Sequence, residues 1–301
     1  MTDTPRAAVI IPHYNDTVRL QRCISAMINE AEPGSLDGVE ILVCDNGSTE
    51  DVAAVLAPWP QIRLLVEPRK GAAHARNLGV AESTAPLLWF IDADCLPGPG
   101  WLARAAEVCD RADIVGGAVP VFDETPPPRS GAEAFEAVFA FNMRDYIECQ
   151  GFAGAGNTLT TRAVFERTGP FIHGVPEDKD WSRRAVTKGA SMVYAAELIA
   201  SHPSRSDWTA LRRKWRRLTD EAWGERDRTL AARLTWVGRA LAVALSGTAH
   251  LPRVLFSDRL EGAGERFHGG VTLLRLRFLR CGWMLGQALK AASPPQGRQV
   301  I

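Results

Sequence analysis

Four short apolar runs, at residues 7–11, 39–43, 62–66 and 87–91, each give way to polar or glycine-bearing turns. Helix-like segments fall between the first two, at 17–32, and between the last two, at 72–83. Strands that alternate with helices imply a mostly parallel sheet covered on both faces. Ligands of such sheets bind beyond the carboxyl ends of the strands. That rule selects Pro12-His13-Tyr14-Asn15, Asp45-Asn46-Gly47-Ser48, Arg69-Lys70-Gly71 and Asp92-Ala93-Asp94. The expected class is therefore α/β, with a Rossmann-like sheet flanked by helices.

With 301 residues, 46% of them apolar, the chain can bury a full core and still carry an extension. The charge is unevenly placed. Residues 1–202 hold 17 Lys and Arg against 27 Asp and Glu, whereas residues 203–301 hold 18 against 8. A basic block of this kind fits either a solvated helical face or an anionic surface. From Trp208 onward the pattern is helical, with Trp208, Leu211, Trp215, Leu218 and Ala222 on one face and Arg212, Arg213, Arg216 and Arg217 around the other. Such a helix can lie in a headgroup layer or pack its apolar side on the protein. Further helices are expected at 228–245 and 271–291, and a surface loop at 122–131 around Pro126-Pro127-Pro128.

The six cysteines form no C-x-x-C pair and have no histidines at zinc-finger spacing, so reduced thiols in a cytoplasmic protein are expected. No apolar signal segment precedes Ala7, and the longest uncharged run, between Arg239 and Arg253, is too short to span a bilayer. Contact with the cytoplasmic face of a membrane is compatible with this, and nucleic acid is not an expected partner.

Leu88-Trp89-Phe90-Ile91-Asp92-Ala93-Asp94 is an apolar strand that delivers two carboxylates to a sheet end. Hard divalent cations take carboxylate oxygens, and a nucleotide diphosphate brings more. Asp45, at another strand end, suits a hydrogen bond to a base N–H or a ribose hydroxyl. Arg76, on the helix after Gly71, suits phosphate binding, base stacking or a structural salt bridge.

Ile10-Ile11-Pro12-His13-Tyr14-Asn15, Val43-Cys44-Asp45-Asn46-Gly47-Ser48-Thr49, Ala75-Arg76-Asn77-x-Gly79 and Asp92-Ala93-Asp94, in this order, resemble the family 2 glycosyltransferases. The resemblance covers roughly residues 7–202 and implies the GT-A fold. It implies a catalytic domain at 1–205, with a nucleotide-binding half to about 115 and an acceptor-binding half at 116–205, followed by a basic helical extension at 206–301. It also implies transfer of a sugar from a nucleotide diphosphate donor, a UDP-sugar first, onto a saccharide, lipid-linked or small-molecule acceptor. Pro12, Tyr14, Asn15, Asp45 and Arg76 then form the nucleoside pocket, Asp92 faces ribose or sugar, and Asp94 holds Mg2+ or Mn2+, joined by His202 at the end of a later strand.

Two later segments match as well. Gly154-Ala155-Gly156-Asn157, followed by Arg162-x-x-Phe165-x-x-x-Gly169-x-Phe171, resembles the family's acceptor-side segment. Glu177-Asp178-Lys179-Asp180-Trp181 resembles its acidic base motif, with Asp178 at the matching place. A carboxylate free of the metal suits deprotonation of an acceptor hydroxyl as the diphosphate leaves from the opposite face, which inverts the anomeric centre. Glu177 and Asp180 beside Asp178 are expected to raise its pKa by like-charge repulsion. Where the processive synthases carry Gln-x-x-Arg-Trp, this chain has Leu211-Arg212-Arg213-Lys214-Trp215, which speaks for a non-processive enzyme.

Two other classes compete. A sugar-phosphate nucleotidyltransferase needs a glycine-rich loop after the first strand, and Pro12-His13-Tyr14-Asn15 is not one. A catalytically inactive nucleotide-binding scaffold is countered by the presence of every expected carboxylate.

Overall fold

The computed structural model describes residues 4–227 and 229–289. Its strands are β1 (Ala7–His13), β2 (Val39–Asp45), β3 (Arg63–Val66), β4 (Leu87–Ile91), β5 (Leu96–Pro97), β6 (Ile114–Ala118), β7 (Val121–Phe122), β8 (Asn157–Thr161) and β9 (Met192–Pro203). The helices are α1 (Thr17–Asn29), α2 (Val52–Leu56), α3 (Ala72–Glu82), α4 (Trp101–Val108), α5 (Gly131–Phe139), α6 (Met143–Glu148), α7 (Arg162–Thr168), α8 (Glu177–Thr187), α9 (Trp208–Gly224), α10 (Leu230–Leu255) and α11 (Gly262–Leu289).

The chain forms two compact units. The first comprises residues up to Phe122 together with Phe141–Pro203. Its sheet runs β3-β2-β1-β4-β8-β6-β9-β5, with β7 paired to β9. The first four strands are parallel, as their helical crossovers require; the apolar runs of β1, β2 and β4 are buried on both faces, while β3 at the sheet's edge is partly exposed. β8 then runs antiparallel between β4 and β6. Because of that reversal, Asn157 at the start of β8 stands opposite Ile91 at the end of β4. The carboxylates after β4 and the segment before β8 thus share one edge of the sheet.

Helix α3 lies very close to the sheet because its inner face is small. A Cβ on Gly79 would stand 2.6 Å from Ile10 Cγ2 and 2.9 Å from Cys44 Sγ, nearer than any side chain allows. Arg162 grips the far end of this helix. Its guanidinium donates to the carbonyls of Ala85, Val80 and Ser83 at 2.9, 3.1 and 2.9 Å, using main-chain acceptors around the end of α3. Arg162, quoted above as part of an acceptor-side segment, therefore holds α3 in place.

The second unit comprises Asp123–Ala140 and the chain from Ser204. Residues 123–140 thus separate from the acceptor half expected at 116–205. The reason lies in the partners of α5: Ser130 and Glu133 cap it with a capping box, and its Phe135 joins the distant Leu211, Val254, Leu273 and Leu276 in one apolar cluster. Glu136, 1% exposed, is held by Arg205 and Lys214 from beyond residue 203. Trp208 and Trp215 of α9 pack against the same cluster, and Arg275 and Arg280 cover their rings. The apolar side of α9, read above as a candidate membrane-facing surface, is covered within its own unit.

Candidate active site

A cleft of about 250 Å³ opens at the carboxyl ends of β1, β2 and β4, lined by Pro12, His13, Tyr14, Asp16, Asn46, Ala72, Arg76, Asp92, Ala93 and Asp94. Tyr14 is half exposed at its mouth, with Lys70 Nζ 4.0 Å from the ring centre. Asn15 does not line it. Its backbone is left-handed, at φ 47, and its side-chain oxygen accepts from Thr49 N–H at 2.7 Å, which ties the turn after β1 to the turn after β2.

Asp45 lies behind the wall. It accepts from the Ser48 hydroxyl and from Ser48 N–H, the latter at 3.0 Å, and faces His13 Nδ1 at 3.2 Å. His13 Nε2 takes the Asp16 N–H at 3.2 Å, which leaves the ring proton on Nδ1 for Asp45. Burial alone drives the Asp45 carboxyl upward, but the Ser48 hydroxyl, the Ser48 amide and His13 outweigh it and hold the group below its ordinary value. Asn46 fixes the neighbouring loop: its amide donates to the Glu67 and Arg69 carbonyls at 3.0 and 2.6 Å and accepts from Gly71 N–H at 2.6 Å. His13, Asp16 and Asn46 were not singled out from sequence. The signal for His13 and Asn46 lay in the turns already selected, which end strands and therefore orient every polar side chain they contain; Asp16, one residue beyond the first turn, caps α1.

Arg76 organises the floor. It is 5% exposed, and its two terminal nitrogens contact Glu177 Oε1 at 2.5 Å and Asp92 Oδ1 at 2.6 Å, while Nε has no hydrogen-bond partner among the described residues. Of the roles open to this residue from sequence, a salt bridge is the one present. The next residue strengthens the same link, since Asn77 and the main chain of Phe171 exchange two hydrogen bonds at 2.8 and 2.9 Å. Helix α3 thereby secures the segment that leads into α8.

Asp178 occupies the first turn of α8, half-buried. Burial is the main influence raising its carboxyl above the usual value, and Glu177 and Asp92 act the same way against the Lys179 amide and Arg76. The like-charge cause expected from Asp180 does not operate, because Asp180 is paired with Arg184 at 2.8 Å. Gly156 brings the main chain against Asp92, where a Cβ would stand 2.8 Å from Oδ2.

Asp94 and His202 meet at the edge formed by β4 and β9, with Oδ2 and Nε2 3.3 Å apart. His202 Nδ1 lies 2.7 Å from the Pro203 carbonyl, which can only accept, so Nδ1 carries a proton. In the neutral ring Nε2 is then a lone pair aimed at a carboxylate. Two acceptors so placed suit a cation between them, and a carboxylate plus a buttressed imidazole is a donor pair that Mn2+ accepts. Among the described residues no group of three or more His, Cys, Asp and Glu stands ready to hold a metal, so the remaining ligands to such an ion would be diphosphate oxygens and water.

Asn157 and Trp181 face inward. Asn157, 1% exposed, accepts from Trp101 Nε1 at 3.0 Å and donates to the Ala118 and Leu198 carbonyls at 3.0 and 2.8 Å. Trp181 is buried between Phe165 and Phe171 and donates to the Gly169 carbonyl at 2.9 Å. Both buttress the cleft from behind.

Comparison with known proteins places the chain in a family. The chain is 32% identical over 228 residues to glycosyltransferase AglE of Haloferax volcanii, covering 72% of this chain and 73% of that protein. It is 26% identical over 220 residues to a pre-mycofactocin glycosyltransferase of Mycobacterium tuberculosis, covering 67% of this chain and 44% of the relative. Among solved structures, the mannosyltransferase PcManGT of Pyrobaculum calidifontis, in complex with GDP-Man and Mn2+, superposes with a TM-score of 0.54 at 18% identity. That match covers 95% of this chain and 74% of the other and is a likeness of fold. Residues 8–168 match the model of the family described as glycosyl transferase family 2, and the chain accordingly belongs to that family as an enzyme of GT-A fold.

Proposed function

We propose that this glycosyltransferase inverts the anomeric centre of a nucleotide diphosphate-sugar in a single displacement, with Asp178 as the base. One observation carries the reading. The Arg76 guanidinium joins Asp92, which lines the cleft, to Glu177, and so ties the first turn of α8, which carries Asp178, to that wall. Pro12 and Tyr14 give the nucleoside a flat, partly apolar wall, and the unpartnered Arg76 Nε is a donor suited to a diphosphate oxygen. Asp178, raised by burial, is a stronger base than an ordinary carboxylate and takes the acceptor proton as the new bond forms. Asp94 and His202 would hold Mg2+ or Mn2+, which when bound neutralises the departing diphosphate.

The donor expected from sequence is a UDP-sugar, whereas the Pyrobaculum neighbour was solved with GDP-Man. The acceptor is a hydroxyl on a saccharide, a small molecule or a lipid-linked carrier. An anionic membrane surface belongs to the reading as the place where a lipid-linked acceptor would be met. Release of nucleotide from UDP-, GDP- and dTDP-sugars, with Mn2+, with Mg2+ and with chelator, tests it. Metal-dependent turnover of one donor that is lost in Asp178→Asn, with donor binding retained, is the expected result. Donor binding without turnover in every combination would favour the inactive scaffold.

A further inference from the structure

Ten of the seventeen exposed large apolar side chains among the described residues lie on α10, on α11 or in the turn between them. Phe256 is 84% exposed, Leu245 71% and Phe267 66%. Their spacing is regular. At about 100° per residue, Leu230, Leu234, Leu241 and Leu245 form one stripe along α10, and Phe267, Val271 and Phe278 form one along α11.

The two helices are antiparallel. Arg233 reaches the Ala288 carbonyl, Trp236 donates to Gln287, Gly247 faces Leu274 and Arg277, and Gly269 faces Val254. Counting round each helix from these contacts, both stripes fall on the same side of the hairpin. The opposite side of α11 carries Leu273 and Leu276 into the cluster formed with α5 and α9. The exposed side is therefore a face that the unit's own core does not use.

Its charges identify a partner. No Asp or Glu occurs in 230–257 or in 266–289, and no charged residue lies within the stripes. Arg253 borders them and is exposed; Arg233 and Arg275 border them too, with their guanidinium groups engaged at the Ala288 carbonyl and over the Trp208 ring. A second copy of this face would set arginines against arginines. An anionic lipid surface meets both features, because acyl chains take the leucines and phenylalanines and headgroups take the guanidinium groups. No helix among the described residues is long and apolar enough to cross a membrane, and the one-sided stripe suits helices that lie in the interface.

We infer that the α10–α11 hairpin docks flat on an anionic bilayer through this face. The inference does not depend on the donor chemistry, so its test reads binding alone. The protein is floated with vesicles of phosphatidylcholine and phosphatidylglycerol in equal parts, and with vesicles of phosphatidylcholine only. Wild type should float with the anionic vesicles and release as salt rises. Phe256→Ser with Phe278→Ser should weaken partitioning about tenfold or more. Arg253→Glu should weaken it at least about fivefold, in the anionic vesicles only. Both phenylalanines and Arg253 are exposed, and an unchanged circular dichroism spectrum and Tm confirm that each variant is folded. Failure of wild type to float with anionic vesicles overturns the inference whatever the variants do. Equal binding to neutral vesicles also overturns it, as does a concentration-dependent dimer abolished by the phenylalanine changes.

Discussion

Replacing Arg76 with methionine keeps the stem of the side chain and deletes the charge that holds Asp92 and Glu177 together. Their oxygens, now 2.6 and 2.5 Å from the two terminal nitrogens, would be left facing each other. Two unit charges about 6 Å apart repel by about 3 kcal/mol at an effective dielectric near 20. Asp92 and Glu177 are 32% and 24% exposed, so water screens part of this, and a net loss of about 2 kcal/mol is the better figure. For a unit of this size that lowers Tm by roughly 5 °C. The pH dependence carries a second sign. Arg76 holds the Asp178 carboxyl down, so its removal drives that group further up and moves the acid limb of kcat/KM to higher pH. Glu177 pushes Asp178 up, so Glu177→Gln moves the same limb to lower pH. Thermal melts and pH profiles of nucleotide release for both variants decide the matter. Shifts of the limb in the same direction, or an Arg76→Met protein as stable as wild type, would refute the claim that one guanidinium couples the two carboxylates.

Asp178→Asn should lower kcat by about 10²–10⁴-fold in a transfer assay and leave donor affinity unchanged. The same variant should be more stable than wild type at neutral pH by about 1 kcal/mol, read as a Tm rise. An acid whose pKa is raised by folding costs stability once ionised, so this gain should shrink as pH falls through the raised value and vanish below the ordinary carboxylate range. Asp94→Asn and His202→Ala should each abolish the extra Tm gained when Mn2+ is added with a nucleoside diphosphate, while melting normally without ligands. Asn46→Ala removes three hydrogen bonds, one buried and two part-buried, that hold the loop at 67–71 and should cost about 2–3 kcal/mol, with donor KM rising more than kcat falls.

The parallel strands were legible because burial on both faces leaves unbroken apolar runs, as in β1 and β4. The reversed strand β8 and its neighbour β6 were not. β8 reads Asn157-Thr158-Leu159-Thr160-Thr161, and its buried hydroxyls are satisfied by the Gly154 and Asp113 carbonyls rather than marked by an apolar pattern. β6 contains Gly116 and Gly117, and Gly117 leaves room for the Asn157 amide. The grouping of residues 123–140 with the second unit depends on partners more than sixty residues distant, Arg205 and Lys214, which no local window contains. At the site, strand ends pointed to Pro12, Tyr14, Asp92 and Asp94, all of which line the cleft. Spacing could not show that Asn157 and Trp181 turn inward, because that depends on Trp101 and Gly169 meeting them in three dimensions.

The reversal of β8 governs how the two sides of the catalytic edge are wired. Residues 150–157 arrive at that edge from α6, and the chain then runs down β8 and passes through α7 before returning at Glu177. The floor of the cleft and the first turn of α8 are consequently delivered by separate covalent paths, fastened to one another mainly through Arg76 and Asn77. Evolution can lengthen or exchange either path while leaving the other intact, provided those two neighbouring side chains on α3 keep their grip.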